Sequence, residues 1–284
     1  MNLNKIHLEA LGADARSVTE LFHRLNSVLP VDQQIVSVPP DTLCVEALNK
    51  MKEHHFSQLP VVVGREVLGI FSYRSFADAV VTFGQCASKN QKFNPLELLV
   101  EDCLERPKFA RVTDEFVEWF DFIDQHDAVL VGEPNRLQGI VTAMDILRYL
   151  YGVASPFVLL AEIELALRAL IQLAVGPETL AACAKECVKD RPQDQVPTRL
   201  EDMTFNDYVQ IIGDGRAWDH FQTFMGGNRV RARAKLEQLR DLRNVVFHFK
   251  HKITVEEYET LAAGREWMLL KARAAEARRE EVRQ

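Results

Sequence analysis

With 284 residues, 47% of them hydrophobic and 26% charged, the chain is long enough for two ordinary domains, each with its own core. A formal charge of −7 excludes a surface that is basic all over, as a general nucleic-acid glove would need, but leaves room for a local basic patch. The start, MNLNKIHLEA, lacks the apolar core of a signal peptide, and Glu162, Glu164 and Arg168 interrupt the most apolar stretch, so the expectation is a cytoplasmic protein with no membrane segment.

In chain order, Val18, Leu21, Phe22, Leu25 and Val28 recur at helical spacing before Pro30, which predicts an amphipathic opening helix within residues 1–30. Val45, Leu48 and Met51 then predict a helix leading into an extended run, Gln58-Leu59-Pro60-Val61-Val62-Val63, and Gly64. A second strand, Val67-Leu68-Gly69-Ile70-Phe71, is followed by Ser72 and a helical start at Ser75-Phe76-Ala77. About 70 residues later the order returns. Phe116, Phe120 and Ile123 suit a short helix, Ala128-Val129-Leu130-Val131 a strand before Gly132, and Leu137 to Val141 a second strand before Thr142 and a helix from Asp145. Laying Pro60-Val61-Val62-Val63 over Ala128-Val129-Leu130-Val131, and Gly69-Ile70-Phe71-Ser72 over Gly139-Ile140-Val141-Thr142, gives a tandem α/β repeat.

The repeat closely resembles the CBS (cystathionine-β-synthase) domain, which occurs in tandem pairs. The resemblance rests on Gly-x-hydrophobic-Thr/Ser-x-x-Asp, complete in the second repeat as Gly139, Thr142 and Asp145; the first repeat keeps Gly69 and Ser72 but has Ser75 in the aspartate position. It implies two repeats packed sheet to sheet, over 31–88 and 89–153. The clefts between them would take an adenosine-containing regulator (AMP, ADP, ATP or S-adenosylmethionine). A carboxylate can accept from both ribose hydroxyls with charge assistance, and a serine cannot do this equally well. One competent site is therefore expected, with Gly139, Thr142 and Asp145 at its centre, Ala128 on the adjoining strand and Arg148 one turn on to reach phosphate. The competing reading is that Thr142 and Asp145 simply cap a helix.

Beyond Gly152 the strand signal disappears. Helical patterns alternate with breaks at Gly176-Pro177, Arg191-Pro192, Pro197 and Gly226-Gly227, predicting helices near 156–174, 178–189, 204–212, 216–224, 229–248 and 254–280. Ser155 and Pro156 read as cap and first residue of the first of these, and Thr254 with Glu257 as a capping box for the last. Between Arg229 and Lys252 eight Lys/Arg face only Glu237 and Asp241, which suits either a solvated helix face or phosphate recognition.

Within that stretch Arg243, Asn244 and His248 resemble the signature of HEPN domains, small helical bundles common in RNases of stress and defence systems. The resemblance covers roughly 156–275 within a helical domain expected at 154–284. It implies metal-independent RNA cleavage, with His248 as base, Arg243 stabilising the crowded phosphate and Asn244 orienting either the imidazole or the substrate. Arg243 and His248 stand about 140° apart on a straight helix. Convergence on one phosphate therefore needs either a helix break or two chains sharing a site in a homodimer. Blind to the resemblance, His248 reads as a histidine packed among Phe247 and Phe249.

No H-E-x-x-H motif, Walker loop, G-x-S-x-G or G-x-G-x-x-G is present, and no metal site is expected. Five cysteines (Cys44, Cys86, Cys103, Cys183, Cys187) without C-x-x-C spacing read as reduced, buried thiols. The fold class expected is thus α+β multidomain, tandem CBS repeats followed by an all-α HEPN-like bundle. The functional expectation is an adenine-nucleotide-sensing endoribonuclease with RNA as partner. The alternatives are a non-catalytic nucleotide sensor and scaffold that binds RNA or a protein, or the regulatory subunit of a transporter.

Overall fold

The computed structural model describes residues 24–29, 33–86 and 93–283. Val18, Leu21 and Phe22 of the expected opening helix lie outside them; its end is present as α1, Leu25–Val28. The described chain forms two compact units that divide between Leu150 and Tyr151.

The first unit is a tandem α/β repeat. Helix α2 (Cys44–His54) leads into strand β1 (Gln58–Val63), which turns into antiparallel β2 (Glu66–Ser72) and helix α3 (Tyr73–Cys86). The second repeat enters through a short strand, β3 (Phe109–Ala110), which runs parallel to β4 (Ala128–Glu133). A short helix, α4 (Phe120–His126), precedes β4, and β5 (Arg136–Thr142) pairs with it antiparallel. In the first repeat a single parallel bridge from Val38 to Val61 takes the place of β3.

The strand registers correct the superposition drawn from sequence. Gln58 pairs with Ser72 as Ala128 pairs with Thr142, and Val62 pairs with Val67 as Gly132 pairs with Leu137. The offset is therefore 70 residues throughout, and Ala128 is the counterpart of Gln58, not of Pro60. Gly132 misled the alignment because it looks like the turn glycine Gly64. It sits instead at a bulge with φ +122°, where a Cβ would lie 2.4 Å from the Arg136 carbonyl.

Each repeat buries its own helix-side core, around Leu59, Val61 and Phe71 in the first and Val129, Val131 and Val141 in the second. The opposite faces of the two sheets meet through Val67, Ile70 and Leu130, with Ile140 packed against them.

Helix α5 (Ala143–Ala174) follows β5 directly. Pro156 is inside this helix, not at its start, which corrects the cap read at Ser155-Pro156. A proline in mid-helix leaves the carbonyl four residues back without its donor and crowds it with the ring. That carbonyl belongs to Gly152, and the Ser155 hydroxyl donates to it at 3.5 Å.

The second unit is all helical: the C-terminal part of α5, then α6 (Pro177–Cys187), α7 (Phe205–Gly213), α8 (Trp218–Met225), α9 (Arg229–Phe247) and α10 (Val255–Arg283). Ile163, Leu167, Tyr208, Phe221 and Leu236 centre one core. Helix α9 packs along α7 through Ala232, Leu236, Leu239 and Leu242, a spacing of three and four that turns its basic residues outward. The capping box read at Thr254 is present: Glu257 accepts from the Thr254 amide at 2.9 Å and donates its own amide to Thr254 Oγ1 at 3.2 Å.

Candidate functional site

The second repeat brings Ala128, Thr142, Asp145 and Arg148 together at the junction of β5 and α5. Ala128 is fully buried opposite Thr142. Asp145 Oδ2 accepts from the Thr142 hydroxyl at 2.6 Å and from the Thr142 amide at 2.9 Å, and the Asp145 amide donates to Thr142 Oγ1 at 3.2 Å. This is a capping box, and it occupies one carboxylate oxygen. The other, Oδ1, stands 4.0 Å from Arg148 Nη1. Gly139 is set apart from this group. A Cβ there would lie 2.4 Å from Leu29 Cδ2 and 2.6 Å from Gln33 Oε1, so the glycine admits the segment that leads into α2.

The first repeat, where Ser75 stands in the aspartate position, holds a polar cluster of its own. Gln58, Ser72 and Ser75 are all more than nine-tenths buried. Ser75 does the capping that Asp145 does in the second repeat: its hydroxyl accepts from the Ser72 amide at 2.9 Å and donates to the Ser72 carbonyl at 3.1 Å. The missing carboxylate comes from elsewhere, because the Ser72 hydroxyl donates to Glu105 Oε1 at 2.6 Å. The other oxygen of Glu105 lies 3.5 Å from His126 Nδ1, and Arg74 pairs with Asp127 at 3.2 Å. Ile70 and Ser72 share the strand face that meets the other repeat, and Gln58, as the register partner of Ser72, joins them there.

Gln58 is the unusual member. Among the described residues, neither its amide nitrogen nor its carbonyl oxygen has a hydrogen-bond partner, although the residue is only 5% exposed. A buried unsatisfied group costs about 1–3 kcal/mol. The sequence signal was a polar residue opening an otherwise apolar strand, in the position where the second repeat has Ala128.

In the helical unit, Arg243 and Asn244 are adjacent on the last turns of α9. The Arg243 guanidinium lies 4.7 Å from the Phe247 ring centroid, and its Nη1 donates to Asn244 Oδ1 at 3.5 Å. The helix runs unbroken to Phe247, and His248 follows as its exposed C-cap. Among the described residues no hydrogen bond or ion pair joins His248 to Arg243. Much of the basic charge on α9 is already engaged. Arg229 donates to the Gly213 carbonyl, Arg233 pairs with Glu237, Arg240 with Asp241 and Asn206, and Lys235 sits 4.9 Å from the Trp267 ring centroid.

The buried cysteines have raised thiol pKa values. Burial pushes Cys44 up to about 12, helped by its contact with Cys103 at 3.5 Å, and Cys187 to about 11. No helix among the described residues is long and apolar enough to cross a membrane.

Residues 25–82 match the family model described as CBS domain, so the first repeat is a CBS domain. No curated protein matches the chain. Among solved structures, the CBS-domain containing protein ATU1752 from Agrobacterium tumefaciens is 20% identical, with a TM-score of 0.39, over 48% of this chain and 98% of that one. Protein MJ1225 from Methanocaldococcus jannaschii is 18% identical, with a TM-score of 0.38, over 46% of this chain and 49% of that one. CBSX2, solved in complex with AMP, is 18% identical, with a TM-score of 0.36, over 44% of this chain and 94% of that one.

Proposed function

We propose that the tandem repeat is an adenine-nucleotide sensor and that the helical unit is the effector it regulates. The unpartnered, buried amide of Gln58 carries this reading. A carboxamide offers a donor and an acceptor side by side, the pattern that matches the N6 and N7 edge of adenine. Binding such a base supplies both missing hydrogen bonds, so part of the affinity comes from relieving a cost the free protein bears. Ser72 of the first repeat with the Glu105 carboxylate it bonds, and Thr142 and Asp145 in the second, are the groups suited to ribose hydroxyls. Arg74 and Arg148 are the cations suited to phosphate.

The test is calorimetric titration of the full chain with AMP, ADP, ATP, S-adenosylmethionine and, as control, GMP. An adenosine ligand should bind, GMP should not, and Gln58→Leu should weaken binding about tenfold, or about 1.4 kcal/mol. Asp145→Asn should weaken it if the second repeat contributes. Failure of every adenosine ligand to bind would overturn the sensor reading. Unchanged affinity in Gln58→Leu would remove the amide from it.

A second reading concerns the effector. Arg243 and Asn244 in contact at the end of α9, with His248 exposed just past it, supply the groups needed for metal-independent RNA cleavage. Cleavage of labelled single-stranded RNA in EDTA, lost in His248→Ala while RNA binding persists, supports an endoribonuclease. Absence of cleavage with every nucleotide supports a non-catalytic scaffold.

A further inference from the structure

The two repeats hold their carboxylates in different ways. Asp145 is fixed at the start of its own helix: Oδ2 takes the Thr142 hydroxyl and amide, and Oδ1 faces Arg148, a permanent cation, at 4.0 Å. Glu105 stands just ahead of β3, tied through its backbone to Ile70. Among the described residues its carboxylate has two partners, the Ser72 hydroxyl on Oε1 at 2.6 Å and His126 Nδ1, 3.5 Å from Oε2. Where the second repeat uses arginine, the first uses a group that is a cation only when protonated. The charged imidazole attracts the carboxylate at this distance, and the neutral one has no such hold on it.

The surroundings give that one charge its weight. His126 ends α4, and its ring stacks on Phe122 with centroids 4.3 Å apart, which limits how far Nδ1 can turn from Glu105. Asp127 follows, paired with Arg74 at 3.2 Å. With His126 neutral, the group of Glu105, His126, Arg74 and Asp127 carries one net negative charge; with it protonated, none. Lys108 Nζ lies 4.7 Å from the centroid of the same Phe122 ring, but Lys108 is exposed and its charge is screened.

We propose that His126 is the positioning residue of the first repeat's site: protonated, it holds Glu105 in place for the ribose and removes the net negative charge an anionic nucleotide would meet. This rests on the nucleotide-sensor reading and gives it a condition. Affinity at the first repeat rises as pH falls, while the second repeat, with Arg148, keeps its affinity. A carboxylate has about four acceptor positions, so ribose hydroxyls join Ser72 and His126 on Glu105 without displacing them. By reciprocity, a ligand favoured by a proton also favours that proton, so nucleotide binding draws protons onto His126. The second repeat then reports nucleotide concentration alone, and the first reports nucleotide and acidity together.

The experiment is calorimetric titration of the full chain with AMP, ADP and ATP at pH 6 and pH 8, for the wild type, His126→Gln and His126→Lys. Circular dichroism shows that all three are folded. The His126 side chain is 42% exposed, which tolerates replacement and limits the effect to about fivefold. A nucleotide's own phosphate titrates near pH 6, so the proteins are compared with one another at each pH. At pH 8 the wild type and His126→Gln should bind alike; at pH 6 the wild type should bind about fivefold more tightly. His126→Lys, a cation at both pH values, should bind more tightly than the wild type at pH 8, a gain that a merely structural histidine would not give. A ratio of wild-type to His126→Gln affinity that is the same at both pH values overturns the proposal and leaves the sensor reading standing. So does a lysine variant with no gain at pH 8. Absence of binding by all three nucleotides also overturns it, and S-adenosylmethionine titrated beside them then shows whether the sensor reading survives.

Discussion

Gln33 and Ile140, 107 residues apart, are joined by two hydrogen bonds: the Ile140 amide donates to Gln33 Oε1 at 3.0 Å, and Gln33 Nε2 donates to the Ile140 carbonyl at 3.2 Å. A side-chain amide here does for the edge of β5 what a neighbouring strand does elsewhere. In the first repeat the backbone of Glu105 plays that part for Ile70, at 3.1 and 2.9 Å. Both glycines of the repeated motif follow from this. Gly69 faces the Glu105 carbonyl, and Gly139 faces Gln33 and Leu29, at distances no Cβ tolerates.

Gly139→Ala should therefore destabilise the first unit by about 1–3 kcal/mol, because the new methyl displaces Gln33 from the strand edge. Gln33→Leu should reproduce part of that loss. Urea unfolding of the two variants and their double mutant measures it, and non-additive losses are expected because both act on one contact.

Gln58→Leu should have opposite effects with and without ligand. In the free protein it removes two buried unsatisfied atoms and should raise stability by about 1–3 kcal/mol. It should also lower the stabilisation that a saturating adenosine ligand produces by about 1.4 kcal/mol, seen as a smaller rise in melting temperature. Melting curves with and without nucleotide show both effects.

Asp207 is fully buried. It accepts from Arg191 Nη2 at 2.7 Å, from the Thr204 amide at 2.8 Å and from the Thr204 hydroxyl at 3.0 Å, so it both caps α7 and anchors the preceding loop. Asp207→Ala should cost about 2–4 kcal/mol, through loss of the cap and of the charged hydrogen bond from Arg191, which keeps its pair with Asp190. Denaturant unfolding checks this, and Arg191→Ala should be costly as well, because it leaves the fully buried Asp207 carboxylate without its cation.

Hydrogen bonds from the Arg216 side chain and backbone hold the Asp214 carboxyl down from 3.8 to about 2. A carboxylate with a depressed folded pKa stabilises above its unfolded pKa and loses that contribution as pH falls through the folded value. The difference in melting temperature between wild type and Asp214→Asn should thus be full above about pH 4 and fade towards pH 2.

The four buried thiols should resist chemistry. With Cys44 raised to about 12 and Cys187 to about 11, little thiolate forms near neutral pH. A thiol-specific chromogenic reagent should leave Cys44, Cys103, Cys183 and Cys187 unmodified in the folded protein and label them all in denaturant. Rapid labelling of Cys44 or Cys103 in the native state would show that the first repeat opens readily.

What neighbouring residues decide among themselves was legible without the fold. Strand alternation and the Gly-x-hydrophobic-Ser/Thr signature made the repeat legible. Gly176-Pro177 and Gly226 marked helix ends, and Thr254 with Glu257 marked a cap, because each acts through neighbours within four residues. Tertiary structure decided what distant segments do to one another. Nothing local to Ser72 announces that Glu105 supplies its carboxylate, and nothing local to Gly139 announces Gln33. Nor does the sequence around Pro156, read as a helix start, reveal a helix continuous from Ala143, since that depends on how Gly152 and Ser155 accommodate the ring. Whether Gln58 is satisfied was equally beyond the sequence, because a hydrogen-bond deficit belongs to the packed environment and not to the residue.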